Sequence, residues 1–228
     1  MTPYVPISGD YALVTGAGSG IGRFLCHYFA RRKMQIISLD IDGDAARETA
    51  AQCKSMNVEA RSEAVDVSDR DAMVGLADRL SAESIVPSVL WANAGVGSAA
   101  ATITAKPAAI EWLYGVNVLG SIWTGQAFLP HMLKRRDACH VGITASSASV
   151  TPVSGPFTLY ATTKQATAAV GEAWMAELAE YDIGVTILCP GILDTAIWNS
   201  ARSRPDRFGG SRLAPDDAGA HWRKQPAP

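Results

Sequence analysis

The chain has 228 residues, enough for one sizeable core and marginal for two. Its 20 lysines and arginines against 22 aspartates and glutamates leave a net charge of −2, which gives no basic surface for nucleic acid or an anionic membrane. Hydrophobic residues make up 48% of the chain, yet its apolar runs at 36–39, 89–92 and 185–189 fall far short of the roughly 20 residues a membrane span needs.

The N-terminus carries no basic region followed by a long apolar run, so no secretory leader is read there. Cys26, Cys53, Cys139 and Cys189 are widely separated and form no CxxC pair, which points to reduced thiols in the cytosol. His27, His131, His140 and His221 share no ligand spacing, and no metal is expected.

In chain order, a strand at 12–14 leads into a glycine loop, and residues 21–32 read as a helix with Phe24, Leu25, Tyr28 and Phe29 at helical spacing. A second strand covers 35–41. Asp44 is placed to cap a helix running through Met56, with Asn57 as its stop, before a third strand over 58–67. Ser68 and Asp71 have capping-box spacing ahead of a helix carrying Met73, Leu76, Ala77 and Leu80. A fourth strand spans 88–92.

A long helical stretch at 107–136 should be kinked or broken by Pro130. A fifth strand at 139–145, a helix at 158–181 and a sixth strand at 185–189 follow. Beyond Gly191 the pattern dissolves. Strands that alternate with helices require parallel pairing through right-handed crossovers, so the expected fold is an α/β doubly wound parallel sheet. Ligands of such sheets bind beyond the carboxyl ends of the strands.

Those ends carry the chemistry. Residues 15–22, TGAGSGIG, sit between a strand and a helix, where Gly16, Gly18, Ser19, Gly20, Ile21 and Gly22 let a pyrophosphate approach backbone amides at a helix N-terminus. Asp40, followed by Ile41, ends the second strand 20 positions after Gly20 and can accept from the two hydroxyls of a ribose. A carboxylate there disfavours a 2′-phosphate, so NAD is expected over NADP. Arg31 and Arg32 lie at the far end of the first helix and read as solvated. Tyr160 and Lys164 share one helix face at a four-residue offset, and a neighbouring ammonium stabilises a phenolate. Ser147 lies 13 residues before Tyr160; Ser146 is one position off that spacing. Asn93, Ala94 and Gly95 follow the fourth strand, and Pro190, Gly191, Ile192, Leu193, Asp194 and Thr195 follow the sixth.

TGAGSGIG at 15–22, NAG at 93–95, Asn117, Ser147, YATTK at 160–164 and PGILDT at 190–195 resemble the short-chain dehydrogenase/reductase family, in its smaller single-domain branch, over residues 11 to about 197. One departure is Trp91-Ala92, where the family more often has a second Asn before Asn93; strand packing should register it more than chemistry. The resemblance implies a Rossmann fold and a nicotinamide-dependent interconversion of an alcohol and a ketone. It makes Tyr160 the general acid/base, and Lys164 the group that binds the nicotinamide ribose and lowers the Tyr160 pKa. Ser147 would hold the substrate oxygen, and Asn117 a water of a proton relay. Asp66 and Val67 would contact adenine, and Thr195 the carboxamide. It further implies a homodimer through the helices at 107–136 and 158–181.

Val153, Phe157, Leu193 and Trp198, with Ser147 and Tyr160, are the candidate substrate contacts, and their apolar character fits a neutral hydrophobic or aromatic secondary alcohol. The segment 200–208 weakly resembles family members that oxidise benzylic alcohols. Set against that family the chain is short. Residues 1–198 are expected to form the cofactor-binding domain and 199–228 a poorly ordered remnant, with the usual seventh strand absent. A catalytically inactive nucleotide-sensing or scaffolding member of the family is the alternative reading.

Overall fold

A computed structural model describes residues 8–211 apart from positions 136 and 194. Six strands, β1 (Tyr11–Thr15), β2 (Gln35–Asp40), β3 (Ala60–Ala64), β4 (Val89–Ala92), β5 (Cys139–Thr144) and β6 (Ile183–Leu188), form one parallel sheet in the order β3-β2-β1-β4-β5-β6. Six helices connect them: α1 (Gly20–Arg31), α2 (Gly43–Lys54), α3 (Arg70–Ala82), α4 (Pro107–Tyr114), α5 (Gly120–Met132) and α6 (Thr158–Glu177).

Alternation along the strands divides the core. Leu13, Ile37, Leu39, Leu90, Val141 and Ile143 pack with α3, α5 and α6 on one face. Ala12, Val14, Ile36 and Val89 pack with Leu25, Phe29, Ala50 and Cys53 of α1 and α2 on the other. Burial on both faces explains why β2 is apolar at consecutive positions. The order reverses between β1 and β4, the point at which ligands of such sheets bind beyond the strand ends.

Local details depart from the sequence expectations. Asp42, not Asp44, caps α2, accepting from the Ala45 amide at 3.1 Å, while Asp44 sits in the first turn and pairs with Arg47. Asp69 caps α3 through the Ala72 amide. β3 ends at Ala64, so Val65 and Val67 lie beyond it; Val67 turns inward onto Gly120. The long helical stretch is two helices joined by a π-helical turn at Gly115–Leu119. Its break is there and not at Pro130, which α5 accommodates in its last turn. Pro130 and Gln126 are both exposed, so water can satisfy the carbonyl that the proline leaves unbonded.

Of the segment expected to be poorly ordered, 199–228, the described part is 199–211. Short 3₁₀ turns at Ala196–Ser203 and Asp206–Phe208 form a strap packed on the domain. Ser200 Oγ accepts from the Gly97 amide, and Arg204 donates to the Ala108 carbonyl at 2.8 Å with its guanidinium 4.7 Å from the Trp112 ring centroid. Residues 200–211 form no strand; the remainder of the expected tail, 212–228, lies outside the described residues, as does His221.

Candidate active site

The glycine loop is shaped by close approach. Gly16 has φ +63°, and a Cβ there would sit 2.7 Å from Ala94 Cα. A Cβ on Gly18 would meet Ala45 at 2.8 Å and an Asp40 carboxylate oxygen at 2.9 Å; the Gly18 amide instead donates to that oxygen at 2.8 Å. The other Asp40 oxygen accepts from the Asp42 amide. Burial pushes the Asp40 carboxyl above the usual range, with these two amide bonds working the other way. Ser19 takes the N-cap position of α1 but makes no side-chain cap, and no acidic residue lies in the first turn. The amides there are therefore available to an anion, which the helix dipole favours.

A hydrogen-bonded floor joins β1, β4 and β5. Thr15 Oγ1 accepts from the Asn93 and Ala94 amides, and Asn93 Nδ2 donates to the Thr15 and Gly16 carbonyls. Thr144 Oγ1 donates to Asn93 Oδ1 and accepts from the Trp91 indole N–H at 3.0 Å. Trp91 lies over Gly142 of β5, where a Cβ has no room. The departure at Trp91 is thus paired with a glycine across the sheet.

The Thr144 carbonyl accepts from Lys164 Nζ at 2.9 Å. Lys164 is buried, and burial pushes its ammonium down to about 8. Its Nζ stands 6.0 Å from the Tyr160 ring centroid. Tyr160 is pushed above the ordinary tyrosine range by burial, opposed by a hydrogen bond from Ser146. The Lys164 ammonium, which the resemblance expects to lower the Tyr160 pKa, is aimed at the Thr144 carbonyl.

Ser146 is the serine that the sequence reading ranked below Ser147 on spacing. Its hydroxyl also accepts from the Ala148 amide, which sets the turn after β5. Ser147 lines the same cavity, with its amide on the Pro190 carbonyl and its own carbonyl accepting from Thr151. Asn117, in the π turn, is fully buried. Its amide group is engaged with Val96 and Thr163, and its carbonyl accepts from Ser121 and Thr167. A Cβ on Gly95 would come within 3.1 Å of Lys164 Nζ and 3.4 Å of Asn117 Oδ1, so the three groups are packed together.

These groups surround one cavity of about 610 Å³. Of the described residues singled out in the sequence as site candidates, all line it except Gly18, Gly22 and Asn117, which lie behind the wall; Asp194 lies outside the described residues. Apart from Trp198, the strap adds a wall that sequence reading missed, from Ala196 through Pro205. Arg204 and Arg207 carry no local sign of the partners they meet there, which are distant in sequence. A second cavity of about 740 Å³ lies across the sheet, under β4–β6, where Trp91 and His140 meet a Phe24 that is 60% exposed. Among the described residues no group of His, Cys, Asp and Glu side chains is gathered to hold a metal, and no helix is long and apolar enough to cross a membrane.

A doubly wound parallel sheet with a glycine loop, a strand-end carboxylate and a Tyr/Lys pair in one cleft defines a nucleotide-binding oxidoreductase class. The family model described as short chain dehydrogenase matches residues 10–206, and the chain belongs to that family. Estradiol 17-beta-dehydrogenase 11 of Macaca fascicularis is 37% identical over 193 residues, which cover 83% of this chain and 63% of that protein. The chain therefore spans just under two thirds of that relative's length. A short chain dehydrogenase/reductase from Burkholderia phymatum, solved in complex with NAD, superposes with a TM-score of 0.86 at 28% identity, covering 97% of this chain and 79% of the other. A short chain dehydrogenase from Mycobacterium paratuberculosis bound to NAD gives 0.78 at 25% identity, covering 85% and 76%.

Proposed function

We propose that this chain is an NAD-dependent oxidoreductase that interconverts a neutral, hydrophobic or aromatic secondary alcohol and its ketone. The observation that carries this reading is the meeting of Tyr160 and Lys164 with the glycine loop and Asp40 in one cavity. The residues fit a dinucleotide: the Gly18 cradle has no room for a Cβ, the α1 N-terminus is uncapped, and a half-buried carboxylate ends β2. A bound nicotinamide dinucleotide supplies the hydride chemistry. Asp40 would disfavour the 2′-phosphate of NADP by charge and support ribose hydroxyls by hydrogen bonding.

Tyr160 is the proposed acid/base, holding or releasing the proton at its phenol oxygen, and Ser146 steadies that oxygen. Ser147 is proposed to hold the substrate oxygen, and Lys164 the cofactor ribose. Asn117 acts here as a brace of the Lys164 pocket, with the relay role resting on its resemblance. Val153, Phe157, Leu193 and Trp198 line the same cavity and support an apolar substrate. The half-exposed Leu119 and Met175 support a homodimer through α5 and α6, which sedimentation would test. Four free cysteines support the cytosol as its compartment.

The test is NAD reduction across aliphatic, steroidal and aromatic secondary alcohols. Tyr160→Phe should lower turnover about 10²- to 10⁴-fold with NAD binding retained. Cofactor binding without turnover of any alcohol would overturn the enzymatic reading.

A further inference from the structure

We infer that Arg207 is a latch that ties the strap to Asp66 at the adenine end of the cleft, and that an entering adenine competes with it for that carboxylate. This rests on the cofactor reading above. Asp66 follows β3 and shares the cavity with Asp40, Ile41 and Val67, beyond the end of the sheet where the base of a dinucleotide held at the glycine loop would lie.

Both oxygens of its carboxylate accept hydrogen bonds within the chain. Oδ1 accepts from the Ser68 amide at 2.9 Å and the Ser68 hydroxyl at 2.7 Å. Oδ2 accepts from Arg207 Nη2 at 2.6 Å, and the same nitrogen donates to Ser68 Oγ at 2.9 Å. Oδ2 accepts from this one nitrogen, so an exocyclic amino group that donates to the same oxygen competes with the guanidinium for it.

The strap is anchored unevenly. Its inner part is fixed by the 7%-exposed Ser200 at Gly97 and by Arg204 on Trp112, which is 2% exposed. Its outer end is held by Phe208 against Gly115 and by Arg207, whose side chain is 49% exposed beside an Asp66 that is 15% exposed. An ion pair with one partner so open to water is weak and exchanges readily. The outer end then reverses through Gly209 and Gly210, at φ +103° and +76°, conformations that only glycine adopts without strain. A released Arg207 has a resting place close by, since its guanidinium already stands 4.9 Å from the Phe208 ring centroid. The geometry makes Arg207 a determinant of base recognition as well as a closure: it occupies the acceptor that distinguishes an amino group from a carbonyl.

Calorimetric titration of wild type, Arg207→Ala and Arg207→Lys with NAD, with nicotinamide mononucleotide, and with the NAD analogue carrying hypoxanthine tests this without any turnover. Arg207→Ala should bind NAD about two- to fivefold more tightly than wild type, with Arg207→Lys between them. The mononucleotide should bind all three proteins alike, and the hypoxanthine analogue, which has a carbonyl in place of the amino group, should gain nothing from Arg207→Ala. Unchanged or weaker NAD binding by Arg207→Ala, or an equal gain for the mononucleotide, would overturn the latch while leaving the cofactor reading intact. No NAD binding by any of the proteins would overturn both.

Discussion

Replacing Lys164 with methionine should raise the stability of the protein relative to wild type at neutral pH, and the advantage should shrink as pH rises. Lys164 is 2% exposed and pushed by burial down to about 8, against an ordinary lysine value near 10.5. Between those values the unfolded chain binds more protons than the folded one, so this residue makes wild-type stability climb with pH through that window. Below pH 8 the full penalty of burying the charge is present, and the gap between the two pKa values corresponds to about 3 kcal/mol. Methionine removes that penalty and also leaves the Thr144 carbonyl without its 2.9 Å donor, a loss of about 1–3 kcal/mol that does not depend on pH. The pH-dependent part is the clean signal: the stability of Lys164→Met relative to wild type should fall by about 2 kcal/mol between pH 7 and pH 10. Urea unfolding of both proteins at the two pH values, without cofactor, measures it. A difference that stays constant across that range would refute a charge-burial penalty at Lys164.

Four other substitutions probe separate joints of the site. Ser146→Ala removes a donor to the Tyr160 phenol, so the alkaline shift of the pH–rate profile for alcohol oxidation should increase; Ser147→Ala should lower kcat about fivefold or more and leave that profile in place. Gly18→Ala should cost about 1–3 kcal/mol in urea unfolding, because its Cβ collides with Ala45 and the Asp40 carboxylate, and calorimetry should show weaker NAD binding as Asp40 is pushed aside. Trp91→Phe keeps the ring over Gly142 but deletes the indole donor to Thr144; a loss of about 1 kcal/mol, read as a fall in Tm of about 2–4 °C, is expected.

Much of the fold was legible because strand burial and helix periodicity are local properties. The consecutive apolar residues of β2 and the spacing of Met73, Leu76, Ala77 and Leu80 need no partner to be read. The glycine loop and the Tyr160/Lys164 offset were equally plain. What escaped depended on contacts distant in sequence. Arg204 looks like a surface charge until Trp112 and the Ala108 carbonyl, about 90 residues away, are brought under it. The π turn at Asn117 has no local signature; it follows from Val96 and Thr163 gripping the side-chain amide from two sides. The choice between Ser146 and Ser147 turns on one residue of chain direction, and the bond from the Ala148 amide to Ser146 Oγ settles how that turn is wound. The cap of α2 shows the same sensitivity, since Asp42 and Asp44 are equally good capping residues and only the place where the chain leaves β2 separates them.

The floor joining β1, β4 and β5 also sets an order of assembly. Asn93 reaches Thr15 across 78 positions of sequence, and Thr144 reaches Asn93 across a further 51. A chain emerging from the ribosome can complete β1, α1 and β2 early, but its glycine loop has no wall opposite it until β4 arrives and no carbonyl for Lys164 until β5 is in place. Such long loops must close before their contacts repay the lost entropy, which makes parallel pairing of this kind slow. The nucleotide-binding half therefore waits on the catalytic half, and the cleft acquires its shape late in folding, when both are joined.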